Sequence, residues 1–161
     1  MTGAAPPASA NLRLVRDFFA CFAAGDIPRL KRDVLAADVR WHVPGRHPLA
    51  GTHRGPDEVV AFFTALARSG FRAEILFLQA DGDRVVDVHR GWSARGDGTD
   101  IDLTWSLVFR IVAGRVVEAQ NFVSDQVAAD TFFTAAYPLA PLSARLAEPI
   151  RPAVPTAGAA S

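Results

Sequence analysis

The chain has 161 residues, half of them apolar, with 17 basic and 17 acidic side chains and no formal net charge. That is enough apolar material for one domain with a real core, and the charge balance argues against nucleic acid or an anionic membrane surface as a partner. The lone Cys21 excludes an internal disulfide and a cysteine metal cage, and no cationic-then-apolar leader or ~20-residue apolar span stands out, so the expectation is a soluble, cytoplasmic protein.

Residues 1–10 are small residues and proline, expected to form a disordered tail. Leu12, Val15, Phe19 and Phe22 recur at helical spacing before Gly25, which predicts a first helix that buries Cys21. Asp26 stands as an N-cap with Pro28 in the first turn, and Ile27, Leu30 and Val34 mark the inner face of a second, short helix. Val39–Val43 reads as a strand followed by a loop of proline, glycine and histidine. Gly55 and Pro56 then open a third helix, with Asp57 and Glu58 in its first turn and Val59, Phe62, Phe63 and Leu66 on one side until Gly70.

From Phe71 the period changes to two. Phe71–Ala80, Arg84–Ala94, Asp100–Ile111 and Arg115–Val123 are rich in β-branched and aromatic residues and are separated by glycine turns, which predicts a four-stranded antiparallel meander, long enough to twist and curve. Ile101, Leu103, Trp105, Leu107 and Phe109 face one way; Asp100, Asp102, Thr104 and Ser106 face the other. Asp125 caps a last helix bearing Val127, Ala128, Thr131, Phe132 and Ala136. Residues 138–161 are expected to form a largely irregular C-terminal extension in which Leu139, Leu142 and Leu146 suit one further turn. The predicted domain is 11–137, an α+β cone-shaped barrel with N-terminal helices packed over a strongly curved antiparallel sheet of four long strands plus a short strand pair.

Trp41-His42-Val43-Pro44-Gly45, then Pro48-Leu49-Ala50-Gly51-Thr52-His53-Arg54-Gly55 leading into a helix, then the meander closing with Gly114-Arg115-Val116-Val117-Glu118 and Asp125-Gln126, is a recognisable order. It resembles the SnoaL-like branch of the nuclear transport factor two-like (ketosteroid isomerase-like) superfamily over 11–137. The resemblance implies an apolar pocket between helices and sheet, pairing of two copies through the open sheet face, and an activity drawn from polyketide cyclases, steroid isomerases, dehydratases, epoxide hydrolases or non-catalytic binding modules. Fold analogy does not choose among them.

The residues narrow the choice. His42 lies close to where steroid isomerases of the superfamily carry their base and is a candidate acid/base; the alternative is that alternation turns Trp41 inward and His42 outward. In SnoaL-type cyclases an aspartate on the last strand is the acid/base, and the matching position here is Asn121, an amide suited to donating a hydrogen bond to a developing oxyanion. Asp125 is a candidate base at the rim as well as a cap. Asp102, with Asp100, is a candidate acid or a solvated turn residue. His89, with Asp87 two residues earlier on the same face, is either an acid/base oriented by a carboxylate or a packing residue.

The isomerases' oxyanion tyrosine has no close counterpart, since the one tyrosine is Tyr137, and the Asp-Arg-Asp arrangement of limonene-type epoxide hydrolases is missing from the predicted strands. Trp41, Phe62, Trp105 and Phe122 are assigned to the apolar wall and His47 to substrate contact at the loop, with a structural role as its alternative; His53 reads as structural or exposed. Arg90 and Trp92 either wall the cavity or pack at a subunit interface. Four scattered histidines give no zinc spacing, and no glycine-rich phosphate loop is present, so no metal or cofactor is expected. The expectation is a cofactor-independent isomerase, cyclase or dehydratase acting on a hydrophobic polyketide-like carbonyl compound, as a homodimer, with a non-catalytic binding or assembly module as the alternative. Convergent polar groups at the pocket floor favour catalysis, whereas a wholly apolar or filled pocket favours the module.

Overall fold

A computed structural model describes residues 8–137. Helix α1 spans Ala8–Ala24, so the helix begins within the segment assigned to the tail; the expected extension beyond Tyr137 lies outside the described residues. Helix α2 (Ile27–Arg29) is a single turn, capped by Asp26 accepting from the Arg29 backbone N–H. It widens into a π-type turn over Leu30–Val34 before the chain enters strand β1 (Leu35–Val43), four residues earlier than expected. Strand β2 (Gly51–Arg54) and helix α3 (Gly55–Arg68) follow, then β3 (Arg72–Asp81), β4 (Arg84–Trp92), β5 (Asp102–Val112), β6 (Arg115–Val123) and α4 (Gln126–Ala136).

The six strands form one sheet in the order β2-β1-β6-β5-β4-β3. The meander β3 to β6 is antiparallel throughout, and β1 joins it parallel to β6, with β2 folded back antiparallel on β1. The class is α+β and the sheet is curved and open, the cone-like form expected, with the helices over its concave face. Bulges at Leu76 in β3 and near Arg110 in β5 break the ladder and add twist.

Register sorts the side chains into rows. On the concave face, Ile75, His89, Trp105 and Val123 form one row across four strands; Leu78, Asp87, Leu107 and Asn121 form the next; Ala80, Val85, Phe109, Ala119 and Trp41 form a third across five. On the convex face, Phe77, Val88, Ser106 and Phe122 share a row. Because side chains alternate along a strand, each residue's row decides whether it meets the helices or the outside.

The helices are pinned to this sheet by specific groups. The buried Asn11 amide on α1 donates to the Gly82 carbonyl of the β3–β4 turn at 3.0 Å, and Phe18 of α1 packs against Trp41, Phe63 and Phe109 with ring centroids 5.3–5.7 Å apart. The Tyr137 hydroxyl at the end of α4 donates to the Ala65 carbonyl of α3. Gly91 on β4 faces the concave side where Phe71 and Trp105 lean across it: a Cβ there would lie 2.4 Å from Phe71 Cζ and 2.5 Å from Trp105 Nε1. A glycine inside a strand here marks a close approach of side chains.

Filling that space forces two aromatic rings to move. Gly91→Val is therefore expected to lower unfolding stability by about 1–3 kcal/mol, read by urea denaturation, while Gly82→Val at the open β3–β4 turn is limited to the strain of its positive φ. Equal midpoints for Gly91→Val and wild type would contradict this packing.

Candidate functional site

Between the concave face and the helices lies a small cavity of about 40 Å³. It is a narrow slot, and its walls are mostly aromatic. Helix α1 supplies Phe18, Phe19 and Phe22, α3 supplies Phe62, Phe63 and Leu66, and Phe71 and α4's Phe133 close two further sides. The sheet supplies Trp41, Val43, Ala73, Trp105 and Leu107. Among the described residues, polar side chains enter from three places: His89 on β4, Asn121 on β6 and His47 in the loop after β1.

His89 is 5% exposed, and its Nδ1 lies 2.7 Å from Oδ2 of Asp87, which is fully buried. The second carboxylate oxygen of Asp87 accepts the backbone N–H of Leu107 at 2.5 Å, so the side chain enters the β4–β5 ladder opposite its own register partner. The Asp87 carbonyl in turn accepts the Ser106 hydroxyl at 2.7 Å. A carboxylate is acceptor-only, so Nδ1 of His89 carries a proton, and in the neutral ring Nε2 is the atom with the lone pair. Nε2 makes no hydrogen bond among the described residues. An imidazole oriented in this way and backed by a carboxylate takes a proton at Nε2 and holds the resulting imidazolium.

Asn121 stands in the Asp87 row, across Leu107, and its side-chain amide has no hydrogen-bond partner among the described residues. His47 is 7% exposed; its Nδ1 accepts the Leu49 backbone N–H at 3.2 Å, and its ring lies 4.7 Å from Phe133. Burial pushes its pKa below the ordinary 6.5, partly offset by Asp130 and the Pro44 carbonyl. At the slot's floor Trp41 is fully buried, and its Nε1 is an unpaired buried donor among the described residues. Phe63 and Phe109 stand edge-to-face to this indole. Leaving such an N–H without an oxygen acceptor costs about 1–3 kcal/mol, which the aromatic packing must offset.

Several expected site residues lie elsewhere. His42 is on the convex side of β1: its Nδ1 is 2.9 Å from Thr52 Oγ1 and its Nε2 3.0 Å from Glu118 Oε1, an arrangement that, with Arg40, holds the Glu118 carboxyl below its usual range. The alternation of β1 turned Trp41 inward and His42 outward. Asp102 is on the convex side as well, in a bidentate pair with Arg90 at 2.8 and 2.6 Å, and that pairing lowers its pKa. Asp125 caps α4, accepting from Ala128 N at 2.9 Å.

Phe122 is 52% exposed on the convex face, so it is no part of the slot's wall. Arg90 stacks over Trp92, 4.7 Å from the ring, on that same face. His53 lies outside the slot's lining, stacked on Phe62 at 4.9 Å with Nε2 3.0 Å from the Leu49 carbonyl. Among the described residues no three His, Cys, Asp or Glu side chains gather as a metal site, and no helix is long and apolar enough to cross a membrane.

The expected site members that do converge are His89, with Asp87, and Asn121, His47, Trp41, Phe62 and Trp105. Sequence reading left out Phe18, Phe71 and Phe133 as wall residues. For Phe18 and Phe133 the signal was the density of phenylalanine on the inward faces of α1 and α4, which reads as ordinary core until the sheet opposite is known to be concave.

Comparison with known proteins agrees with this architecture. Residues 15–119 match the family model described as SnoaL-like domain. An uncharacterized protein of Mycobacterium tuberculosis is 36% identical over 129 residues, covering 77% of this chain and 96% of the relative. Among solved structures, Bal32a from a soil-derived mobile gene cassette superposes with a TM-score of 0.72 at 32% identity, over 78% of this chain and 98% of its own. A putative SnoaL-like polyketide cyclase from Jannaschia superposes with a TM-score of 0.65 at 20% identity, over 84% and 99% of the two chains, a likeness of fold alone.

The buried His47 has a stability consequence with a definite sign. Its folded pKa is depressed, so its contribution is present above the ordinary value of 6.5 and is lost as pH falls through the folded value, because the unfolded chain takes the proton first. Urea unfolding of wild type and His47→Phe between pH 8 and pH 5 is expected to show a loss of stability in acid that is smaller in the variant. Parallel curves would mean that His47 is freely protonated in the folded protein.

Proposed function

Since this chain belongs to the SnoaL-like domain family, in the nuclear transport factor two-like superfamily, we propose that it is a cofactor-independent enzyme that moves a proton on a hydrophobic carbonyl compound of polyketide-like character. Isomerisation, cyclisation and dehydration all share that step. The observation that carries the proposal is the Asp87–His89 pair: a buried imidazole 2.7 Å from a fully buried carboxylate, with Nε2 free at the edge of an aromatic slot. In this reading Nε2 removes a proton next to the carbonyl, Asp87 stabilises the imidazolium, and the Asn121 amide donates to the oxygen on which charge gathers. The aromatic walls exclude water and hold a flat apolar substrate.

Asn121 stands where the family's cyclases carry an aspartate, and this favours a second reading, a pocketed module that binds without reacting. The two are separated by following α-proton exchange of 2-tetralone and related bicyclic ketones in D₂O by NMR, alongside their binding. Wild type is expected to accelerate exchange; His89→Ala should lose about 10²–10⁴-fold and Asn121→Leu about 10²–10³-fold. Binding of the panel without acceleration of any member would favour the module.

We also propose that two copies pair through the convex face. Phe77 and Phe122 are each just over half exposed, at 53% and 52%, in one row with Val88 and Ser106, and Val86 lies in the next row. The Arg90–Asp102 pair borders this apolar stripe, which suits a self-complementary two-fold contact. The buried Cys21 thiol, its pKa raised by burial, fits a reducing compartment such as the cytoplasm. Light scattering is expected to return twice the chain mass for wild type and the single chain mass for Phe77→Asp/Phe122→Asp. A monomeric wild type would remove the pairing.

A further inference from the structure

Two histidines meet the slot with opposite tautomers. Asp87 accepts from Nδ1 of His89, leaving Nε2 as an acceptor. In His47 the order is reversed: the Leu49 backbone N–H points at Nδ1 from 3.2 Å, so that nitrogen holds a lone pair and the single proton of the neutral ring sits on Nε2. The slot therefore presents a proton acceptor on one side and a neutral N–H donor on another. Phe133, against which His47 lies, is 6.2 Å from Trp105, the cross-strand neighbour of His89, so both imidazoles border the same stretch of aromatic wall.

We propose that His47 is an oxyanion donor of this site, its Nε2–H hydrogen-bonded to the carbonyl oxygen of an enolisable ketone or β-dicarbonyl compound while His89 Nε2 takes the proton from the adjacent carbon. The inference rests on the proton-transfer reading above and adds both a residue role and a substrate class to it. The electron count closes without another reagent. The C–H bond breaks and its proton passes to His89; the freed pair forms a C=C bond, and the carbonyl π pair moves onto oxygen. The proton of His47 stays on Nε2 throughout, and return of the other proton from His89 to a different carbon of the enolate completes an isomerisation.

The surroundings of His47 suit a neutral donor. Burial disfavours the imidazolium and His53 adds to this, while Asp130 and the Pro44 carbonyl act in the other direction. Asp130 is already engaged, since its Oδ1 accepts the Arg46 backbone N–H at 3.1 Å and the Gln126 amide at 2.9 Å. The Arg46 bond ties the loop that carries His47 to α4. The arrangement also requires glycine at position 45, where a Cβ would fall 2.2 Å from Asp130 Oδ1 at a φ of +108°. A neutral imidazole held by a backbone N–H is pre-oriented, and a donor aimed before reaction begins is what stabilises developing charge best.

The test combines two measurements that do not need turnover with one that does. Long-range ¹H–¹⁵N NMR of histidine-labelled protein is expected to show His47 protonated on Nε2 alone and His89 protonated on Nδ1 at pH 7. 4-Nitrophenol, whose anion is seen by its visible absorbance, is expected to bind wild type as the phenolate at least ~10-fold more tightly than it binds His47→Phe. His47→Gln, which returns an N–H near the same place, should recover part of the difference.

In ketone exchange His47→Phe should lower kcat by about 10²–10³-fold with KM little changed. His47 protonated on Nδ1 or on both nitrogens at pH 7, or phenolate bound equally by wild type and His47→Phe, would overturn the assignment. His89→Ala separates the two readings: it should lower exchange by about 10²–10⁴-fold yet still bind phenolate. A wild type that binds phenolate through His47 but exchanges no ketone supports the donor and removes the base.

Discussion

A carboxylate with no exposure to solvent must find its compensation within the protein, and the two hydrogen bonds of Asp87 are the constraint from which the site follows. One oxygen takes the Leu107 N–H and so ties β4 to β5 through a side chain at a point where the ladder would otherwise use backbone alone. The other takes the His89 Nδ1–H and so sets the ring's tautomer and direction. Removing either partner would strand a buried charge. The same pair of bonds that makes Asp87 tolerable therefore leaves a histidine with its free nitrogen at the slot.

The aromatic enclosure does two things at once. Phe18, Phe63 and Phe109 around Trp41 form the deepest part of the core, where each ring buries a large apolar area. Nearer the opening, Phe19 stands 5.3 Å from the His89 ring, and Phe133 covers His47. A low-dielectric wall strengthens every hydrogen bond made to a charge that appears inside it, and it keeps that charge from spreading into water. The unpaired Trp41 N–H shows the cost of the arrangement: packing has taken precedence over hydrogen bonding at the floor, whereas a few ångströms up the sheet every buried carboxylate oxygen is satisfied.

Much of the fold was legible because it follows from local periodicity and turn chemistry. β6 was placed to the residue, and Asp26, Asp125 and Pro56 signalled helix starts where helices start. The parallel pairing of β1 with β6 was not legible, since nothing local records which distant strand a segment will lie beside. The site divided along the same line. Asp87 and His89 were legible as a pair because two residues apart on one strand means one face. Trp41 and His42 were a choice of parity that no local feature settles; a large apolar ring is simply the better occupant of a closed core. Asp125 and Asp102 went to the cap and to the Arg90 pair because exposed positions offered each a strong local partner. His47 lies on a loop, where periodicity says nothing, and its tautomer depends on Leu49 two residues away.

Gly91 links the packing to the chemistry. It is the neighbour, two positions along β4, of His89, and its missing side chain is the space into which Phe71 and Trp105 lean. The Trp105 N–H uses the opportunity to reach the Gly91 carbonyl at 3.3 Å, which holds the indole over the strand. With Trp105 held there and Phe133 set against it, the slot between His89 and His47 has one wall whose position depends on a hydrogen-bonded indole rather than on a freely rotating ring. The width of the slot is thus set by backbone, through a residue that contributes no side chain, and its two imidazoles are held by backbone N–H groups, His47 directly by Leu49 and His89 through the Asp87 carboxylate that Leu107 binds. A site built this way depends less on side-chain rotamers than on the sheet itself.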